Sequence, residues 1–522
     1  WPTPPSWNAP EVTSQAEEAH GIPSAGSAPA PQAEEHGIPS AELPSAPPPR
    51  GLVPCLVYAA LCGSVVAGLG NPIVVPVNRT LHVSLEAAQW TLTMSLLMGV
   101  VATPIVARLA DGRLRRRVLV GALATVAIGS LVGALVPNFP GLMVARALHG
   151  LGYALVALTV GIAREHLHGP QLHRTLAVLS TSLAVGAGVA NPTVGLMVAI
   201  WDYRAGFVFA FLVAAAGAWW TFRTVPEPKA GIAPVHTDVL GAVLLCSGLG
   251  FGLLAITHGV SWGWTSSGVL GLAGGAVVLL LAWVLIEVRL AHPLVDVRLA
   301  VAPGILGANL AALLIGCSVF AGAAAGIILT QQTPSGGVGL GHNVAITGLL
   351  MGPMALGSLA GPPIARRLVR RLGERSVLPI GTLSCALGFG IFARWHHTEL
   401  EVLLMMGLMG LGVGITYSIL PSLVVARVPM QRTASATGVN QVLRLLGGAV
   451  GSAGLAAVLA AHVDGASGLP AESGYVMASL LAAGVSLVAA PLSYWLVPDA
   501  PAGASEAGGE RTAYLPEEPV TP

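Results

Sequence analysis

Arg146 and His149 carry a chemistry that their surroundings oppose. They stand three residues apart within the apolar stretch Leu142 to Gly152, a spacing that puts both on one face of a helix. A guanidinium in such a stretch is costly, so Arg146 is expected to face a cavity or a partner. An imidazole changes charge near neutrality, so His149 can take up and release a proton. Carboxylates are the other groups suited to that task. Thirteen lie between the two ends of the chain: Glu86, Asp111, Glu165, Asp202, Glu227, Asp238, Glu287, Asp296, Glu374, Glu399, Glu401, Asp464 and Glu472. Each falls in a connection between apolar stretches or at the edge of one. His149 is therefore the best titrating group within an apolar stretch, sharing its face with Arg146. The alternative is a neutral His149 that only exchanges hydrogen bonds. Other polar groups inside apolar stretches are Asn71, Asn191, Asn309, Gln331, Gln332, Asn440, Gln441 and Arg444. Buried amides must find partners, so these line a cavity or bridge helices.

The elements that hold these groups follow from composition. Of 522 residues, 54% are hydrophobic and 9% charged, against ~25% charged in an ordinary soluble domain. A soluble protein of this size needs far more charge on its surface. The net charge of +1 argues against a nucleic-acid binder. Five cysteines, without metal-ligand spacing, exclude a disulfide scaffold and predict no metal site. No nucleotide loop or nucleophile constellation is visible, so neither an enzyme nor a cofactor is expected. The expected fold class is an all-α polytopic membrane protein, since apolar runs of ~20 residues recur along the chain.

Fourteen such spans are expected, at 52–77, 88–107, 118–136, 140–163, 174–199, 205–222, 239–257, 267–287, 303–329, 344–364, 376–393, 401–426, 436–460 and 474–497. With the first end in the cytoplasm, eighteen of the 25 basic residues fall in cytoplasmic connections and three (Arg79, Arg204, Arg394) in outer ones. That bias predicts a multi-pass protein of the cell membrane with both termini cytoplasmic. The ends differ from the middle. Residues 1–50 are rich in Pro, Ala, Ser and Glu and nearly repeat a segment (EEAHGIPSA, then EEHGIPSA), and 498–522 are similar in composition, so both are expected to be disordered tails.

The connection ARLADGRLRRRVL, Ala107 to Leu119, resembles the signature loop of the major facilitator superfamily, with Leu109, Ala110, Asp111, Arg115 and Arg116 matching. A related loop recurs at Arg366 to Leu378, as in two related halves. The resemblance implies that Asp111, with Arg115 and Arg116, forms a latch that breaks when the halves rock; the plain alternative is a positive cytoplasmic loop. Leu142 to Gly152 resembles the R-x-x-Q-G pattern of the superfamily, with Arg146 and Gly150 matching and His149 in place of Gln. Gly186 to Leu196 is similar to the antiporter signature, with Pro192 and Gly195 matching. Pro192 would bend the helix at a gate and Gly195 would let helices approach. Fourteen spans resemble the drug:proton antiporter branch. The domain plan this implies is an N-terminal six-helix bundle at 51–225, two inserted helices at 226–290 and a C-terminal six-helix bundle at 291–497. In that branch the first span ends in a pattern with an Asp, and Gly70 stands at its place here.

The function implied is secondary active export of amphipathic small molecules, such as drugs or antibiotics, by alternating access coupled to protons. Arg146 and His149 would share the coupling and Asp111 would act as gate. A cavity with few fixed charges suits neutral or weakly charged cargo. The expected partners are that cargo, protons and the lipid bilayer, with the chain acting as a monomer. The alternatives are a facilitator or importer without proton coupling, favoured by the missing Asp, and a non-transporting membrane sensor or scaffold working through the repeated tail.

Overall fold

The computed structural model describes residues 49, 51–70, 72–110, 114–167, 169–227, 238–290, 293–302, 305–334, 338–425, 433–465 and 467–497. Asn71, Asp111 and the two tails lie outside the described residues. Within the described residues the regular structure is helical apart from one antiparallel bridge, Val463 with Pro470. In chain order the helices are α1 (Leu52–Gly68), α2 (Val74–Leu81), α3 (Leu85–Ala110), α4 (Arg115–Leu135), α5 (Phe139–His149), α6 (Leu155–His166), α7 (Gly169–Ile200), α8 (Tyr203–Thr224), α9 (Val239–Trp262) and α10 (Ser267–Glu287). They continue as α11 (Val297–Ala300), α12 (Leu306–Gln331), α13 (Val344–Leu350), α14 (Gly352–Leu372), α15 (Val377–Arg394), α16 (Glu399–Val425), α17 (Thr433–Ala461) and α18 (Glu472–Leu496).

Several starts are fixed by side-chain caps. Asn138, Asp202, Asp238, Ser266 and Asn343 each accept a hydrogen bond from a backbone N–H of the first turn that follows, at 2.7–3.3 Å. Three expected spans are broken, one of them at Met351 between α13 and α14; the other two breaks bear on the site. The first apolar stretch stops at Gly68 and resumes at Val74, because Pro72 has no N–H to donate and Gly70 disfavours the helix. Between α5 and α6 the chain tightens into a 3₁₀ turn over Gly150–Ala154, where Gly150 lies against Met98 and Gly99 of α3. In the other direction, α14 runs to Leu372, past its apolar part, because Arg366, Arg367, Arg370 and Arg371 are good helix formers.

Among the described residues, twelve helical segments are long and apolar enough to cross a membrane, with α5–α6 and α13–α14 each counted as one; Leu52–Gly68 and the Ala190–Ile200 part of α7 are further apolar helical stretches. Helices α1 and α3 to α8 pack mainly on one another, as do α12 and α14 to α18, whereas α13 packs mainly on α7. Two pairings join the groups: α3 with α17, and α7 with α13 and α14. Helix α9 packs on α10, α17 and α3. Helix α10 exposes Leu270, Val277, Val278, Leu281 and Leu285, an apolar face suited to lipid.

Candidate functional site

Arg146 sits in the last turn of α5 and is completely buried. Its Nε donates to the Thr91 carbonyl at 2.6 Å and its Nη2 to the Ser95 hydroxyl at 2.7 Å, both on α3. Its Nη1 lies 3.1 Å from His149 Nδ1. A guanidinium only donates, so Nδ1 must accept and the imidazole proton sits on Nε2. Nε2 is 2.8 Å from Ser130 Oγ on α4, which donates onward to the Val126 carbonyl at 2.8 Å. His149 also stacks on Phe207 of α8, with ring centroids 5.5 Å apart. This arrangement fixes His149 as a neutral link in a chain of hydrogen bonds from Arg146 to α4. Its spare valences are filled as long as Arg146 stays in place.

Two glycines outside α5 set this up. A Cβ on Gly150 would come within 2.5–2.8 Å of Met98 and Gly99, so its absence lets α5 press its polar face onto Thr91 and Ser95. Gly70 belongs to the same spot. A Cβ there would lie 3.1 Å from Arg146 Nη2 and 2.7 Å from Leu92 Cδ1. The place where the branch pattern carries an acid is thus beside Arg146, and the guanidinium has neutral acceptors instead. None of the ion pairs among the described residues involves Arg146 or Arg444.

Arg444 of α17 stacks on Tyr417 of α16, 4.5 Å from the ring centroid, and donates to the Gln441 side chain. Asn440 donates to Asn309 Oδ1 at 3.0 Å and to the Ala308 carbonyl, while Asn309 donates to Ala300 at 2.9 Å. These bonds tie α17, α12 and the turn after α11 together. Gln332 is likewise satisfied, by Val338, Pro470 and the Tyr475 hydroxyl. Both side-chain amide atoms of Gln331 are buried without a hydrogen-bond partner among the described residues. Asn191 is half-buried on α7.

Around the signature loop, Arg115 pairs with Glu165 at the end of α6 at 3.2 Å. Arg116 pairs with Glu227 at 3.3 Å and lies over Phe222. Both arginines are thereby tied to the helices around α4. Pro192 and Gly195 stand where α7 meets α13. A Cβ on Gly195 would come within 2.6 Å of the Val344 carbonyl, and one on Gly348 within 3.0 Å of Pro192. Only glycine permits backbones that close.

The α3–α17 join is polar at the end that carries the start of α3. Ser452 accepts from Gln89 at 3.2 Å and bonds Thr93 at 2.9 Å, and Arg79 donates to the Gln331 carbonyl at 2.9 Å. A cavity of about 520 Å³ opens beside them, lined by Arg79, Glu86, Gln89 and Gln332. Here Glu86 pairs with His258 of α9 at 3.3 Å, and His258 stacks on Trp262. Sequence reasoning counted Glu86 as the edge of a span and passed over His258. The signal was its spacing from Gln89 and Thr93, which puts three polar groups on one face of α3. Tyr153, in the 3₁₀ turn that follows His149, was passed over as well.

Residues 56–452 match the Major Facilitator Superfamily, and the chain belongs to it. It is a multi-span membrane protein of a small-molecule transporter family, not an enzyme. It is 30% identical over 378 residues to the cephamycin export protein CmcT of Amycolatopsis lactamdurans, covering 70% of this chain and 75% of that one. It is 28% identical over 492 residues to the puromycin resistance protein pur8 of Streptomyces alboniger, covering 88% of this chain and 94% of that one. The crystal structure of peptide transporter POT in complex with sulfate superposes with a TM-score of 0.62 over 87% of this chain and 96% of that one, at 15% identity, a likeness of fold alone.

Proposed function

We propose that this protein is an exporter of amphipathic small molecules that works by alternating access and couples export to proton entry. Its relatives are named for cephamycin export and puromycin resistance, which favours efflux over uptake. The observation that carries the coupling is the buried Arg146–His149–Ser130 chain in the core of membrane-spanning helices. While Arg146 occupies Nδ1, His149 stays neutral. When the guanidinium swings to another acceptor, Nδ1 is free to take a proton. The two residues share the task.

In this reading the chain crosses the bilayer fourteen times, α1 and α7 joining the other twelve segments, with both ends in the cytoplasm. Two six-helix bundles, at 51–225 and 291–497, rock about the site, and α9 and α10 are inserted between them. The α3–α17 and α7–α13 joins shut the outer end. Asp111, Arg115 and Arg116 latch the cytoplasmic end. Drug accumulation in cells expressing the protein, with and without a protonophore, tests this directly. Lower accumulation that the protonophore restores is the expected result. The position of Gly70 beside Arg146 favours a second reading, an uncoupled facilitator, and accumulation indifferent to the protonophore selects it.

A further inference from the structure

Among the described residues, two guanidiniums, Arg146 and Arg444, lie away from the ends of the spans, and no carboxylate pairs with either. Arg146 is bonded to a carbonyl, a hydroxyl and an imidazole. Arg444 is bonded to an amide and a phenyl face. Two acids at the ends of spans, Glu86 and Glu287, are engaged elsewhere. Glu86 faces His258. Glu287 accepts from the backbone of Leu294 at 2.8 Å and of Val295, and from Trp283 at 3.1 Å. The helices that carry the two cations meet on α3. Arg146 is bonded to α3 at Thr91 and Ser95, and Tyr153 packs on the same helix. Gly99 of α3 marks the meeting point, since a Cβ there would touch Tyr153 at 2.8 Å and Leu445, the neighbour of Arg444, at 3.3 Å. Arg146 comes from one helix group and Arg444 from the other, so the α3–α17 join brings them together. Arg146 is sealed, whereas Arg444, Gln441 and Tyr417 are partly open.

Charges placed in a low-dielectric interior without counter-charge make a strong field for an ion of opposite sign. A guanidinium offers paired donors matched to a carboxylate. We infer that the site around Arg444, Tyr153 and Arg146 binds the anionic group of the cargo, so the protein carries amphiphiles bearing a carboxylate or a similar oxyanion. This rests on the exporter reading and narrows its cargo from weakly charged compounds to anionic ones. The anion completes the ion pair that the interior lacks.

Purified full-length protein in detergent or nanodiscs is titrated with three fluorescent amphiphiles that differ in charge: dansyl-phenylalanine, its methyl ester, and dansylcadaverine. The carboxylate is expected to bind about tenfold or more tighter than the ester or the amine. Arg444→Gln is expected to abolish that preference and Arg444→Lys to retain part of it; Tyr153→Phe, a milder change, weakens it if the glutamine variant fails to fold. Inorganic phosphate at equal concentration is expected not to displace the dye. Equal affinities, no binding of the carboxylate, a preference unchanged in Arg444→Gln, or displacement by phosphate alone would each overturn the inference. Proteoliposome transport separates it from the exporter reading. Arginine-dependent binding without export sinks the exporter and leaves the anion site, whereas export of the ester and amine alone does the reverse.

Discussion

Arg146 donates only to neutral acceptors and His149 links it to Ser130, so their substitutions have signed consequences. Glutamine at 149 can accept from Arg146 and donate to Ser130, so His149→Gln is expected to keep the fold while removing the titrating ring. Export measured across pH 5.5 to 8 in that variant should lose its dependence on pH; an unchanged profile dismisses His149 as the proton carrier. His149→Leu strands the guanidinium and the Ser130 hydroxyl, a loss of about 1–3 kcal/mol visible as a lower unfolding temperature in detergent. Gly70→Asp places a carboxylate beside Arg146, where the closest contact a Cβ would meet is the movable end of Leu92. It is expected to raise the unfolding temperature and make export more sensitive to a protonophore. At this scale the sequence was readable for Arg146 and His149, because an isolated cation in an apolar run has few explanations. It was opaque for Asn309 and Asn440, whose mutual bond depends on two helices distant in sequence meeting. Glu86 was hidden for the same reason, since its partner His258 comes from a different helix.

The elements were legible where the apolar period was long and unbroken. Helix α10 begins and ends at its expected residues because Ser266 caps it and apolar side chains cover it all round. Legibility failed where local chemistry overrode hydropathy. The first span was expected to run to 77, yet Gly70 and Pro72 end it at Gly68. The 3₁₀ turn after His149 gives no apolar signal, since the small and apolar residues of Gly150–Ala154 suit either helical form. What it changes is the angle at which Tyr153 follows Arg146. The join of α7 and α13 belongs to this scale as well. Gly195→Ala is expected to push the backbones apart at a cost of about 1–3 kcal/mol, and Gly195→Leu to prevent the approach. Export by the leucine variant should fall at least tenfold at unchanged expression, and wild-type activity there would show that the join does not need to close.

For the whole molecule, composition alone separated a membrane carrier from soluble alternatives, and the loop motifs named its superfamily. The pairing of α3 with α17 was beyond reach, because helices nearly 350 residues apart leave no mark on each other's spacing. If the tail were the working part of a sensor, removing it would abolish function. Deletion of residues 1–49 is expected to leave export intact, and its loss in a well-expressed variant would restore the sensor reading.

The unanswered guanidiniums have an electrical consequence. A full elementary charge crossing the membrane exchanges ~2.3 kcal/mol with every 100 mV. With its positive core, the empty carrier should be drawn toward the negative side of the membrane, and a bound anion should cancel part of that pull. Voltage would then act mainly on the return stroke. Clamping the potential of proteoliposomes with potassium and valinomycin, at fixed pH on both sides, should therefore alter the turnover rate far more than the affinity for cargo.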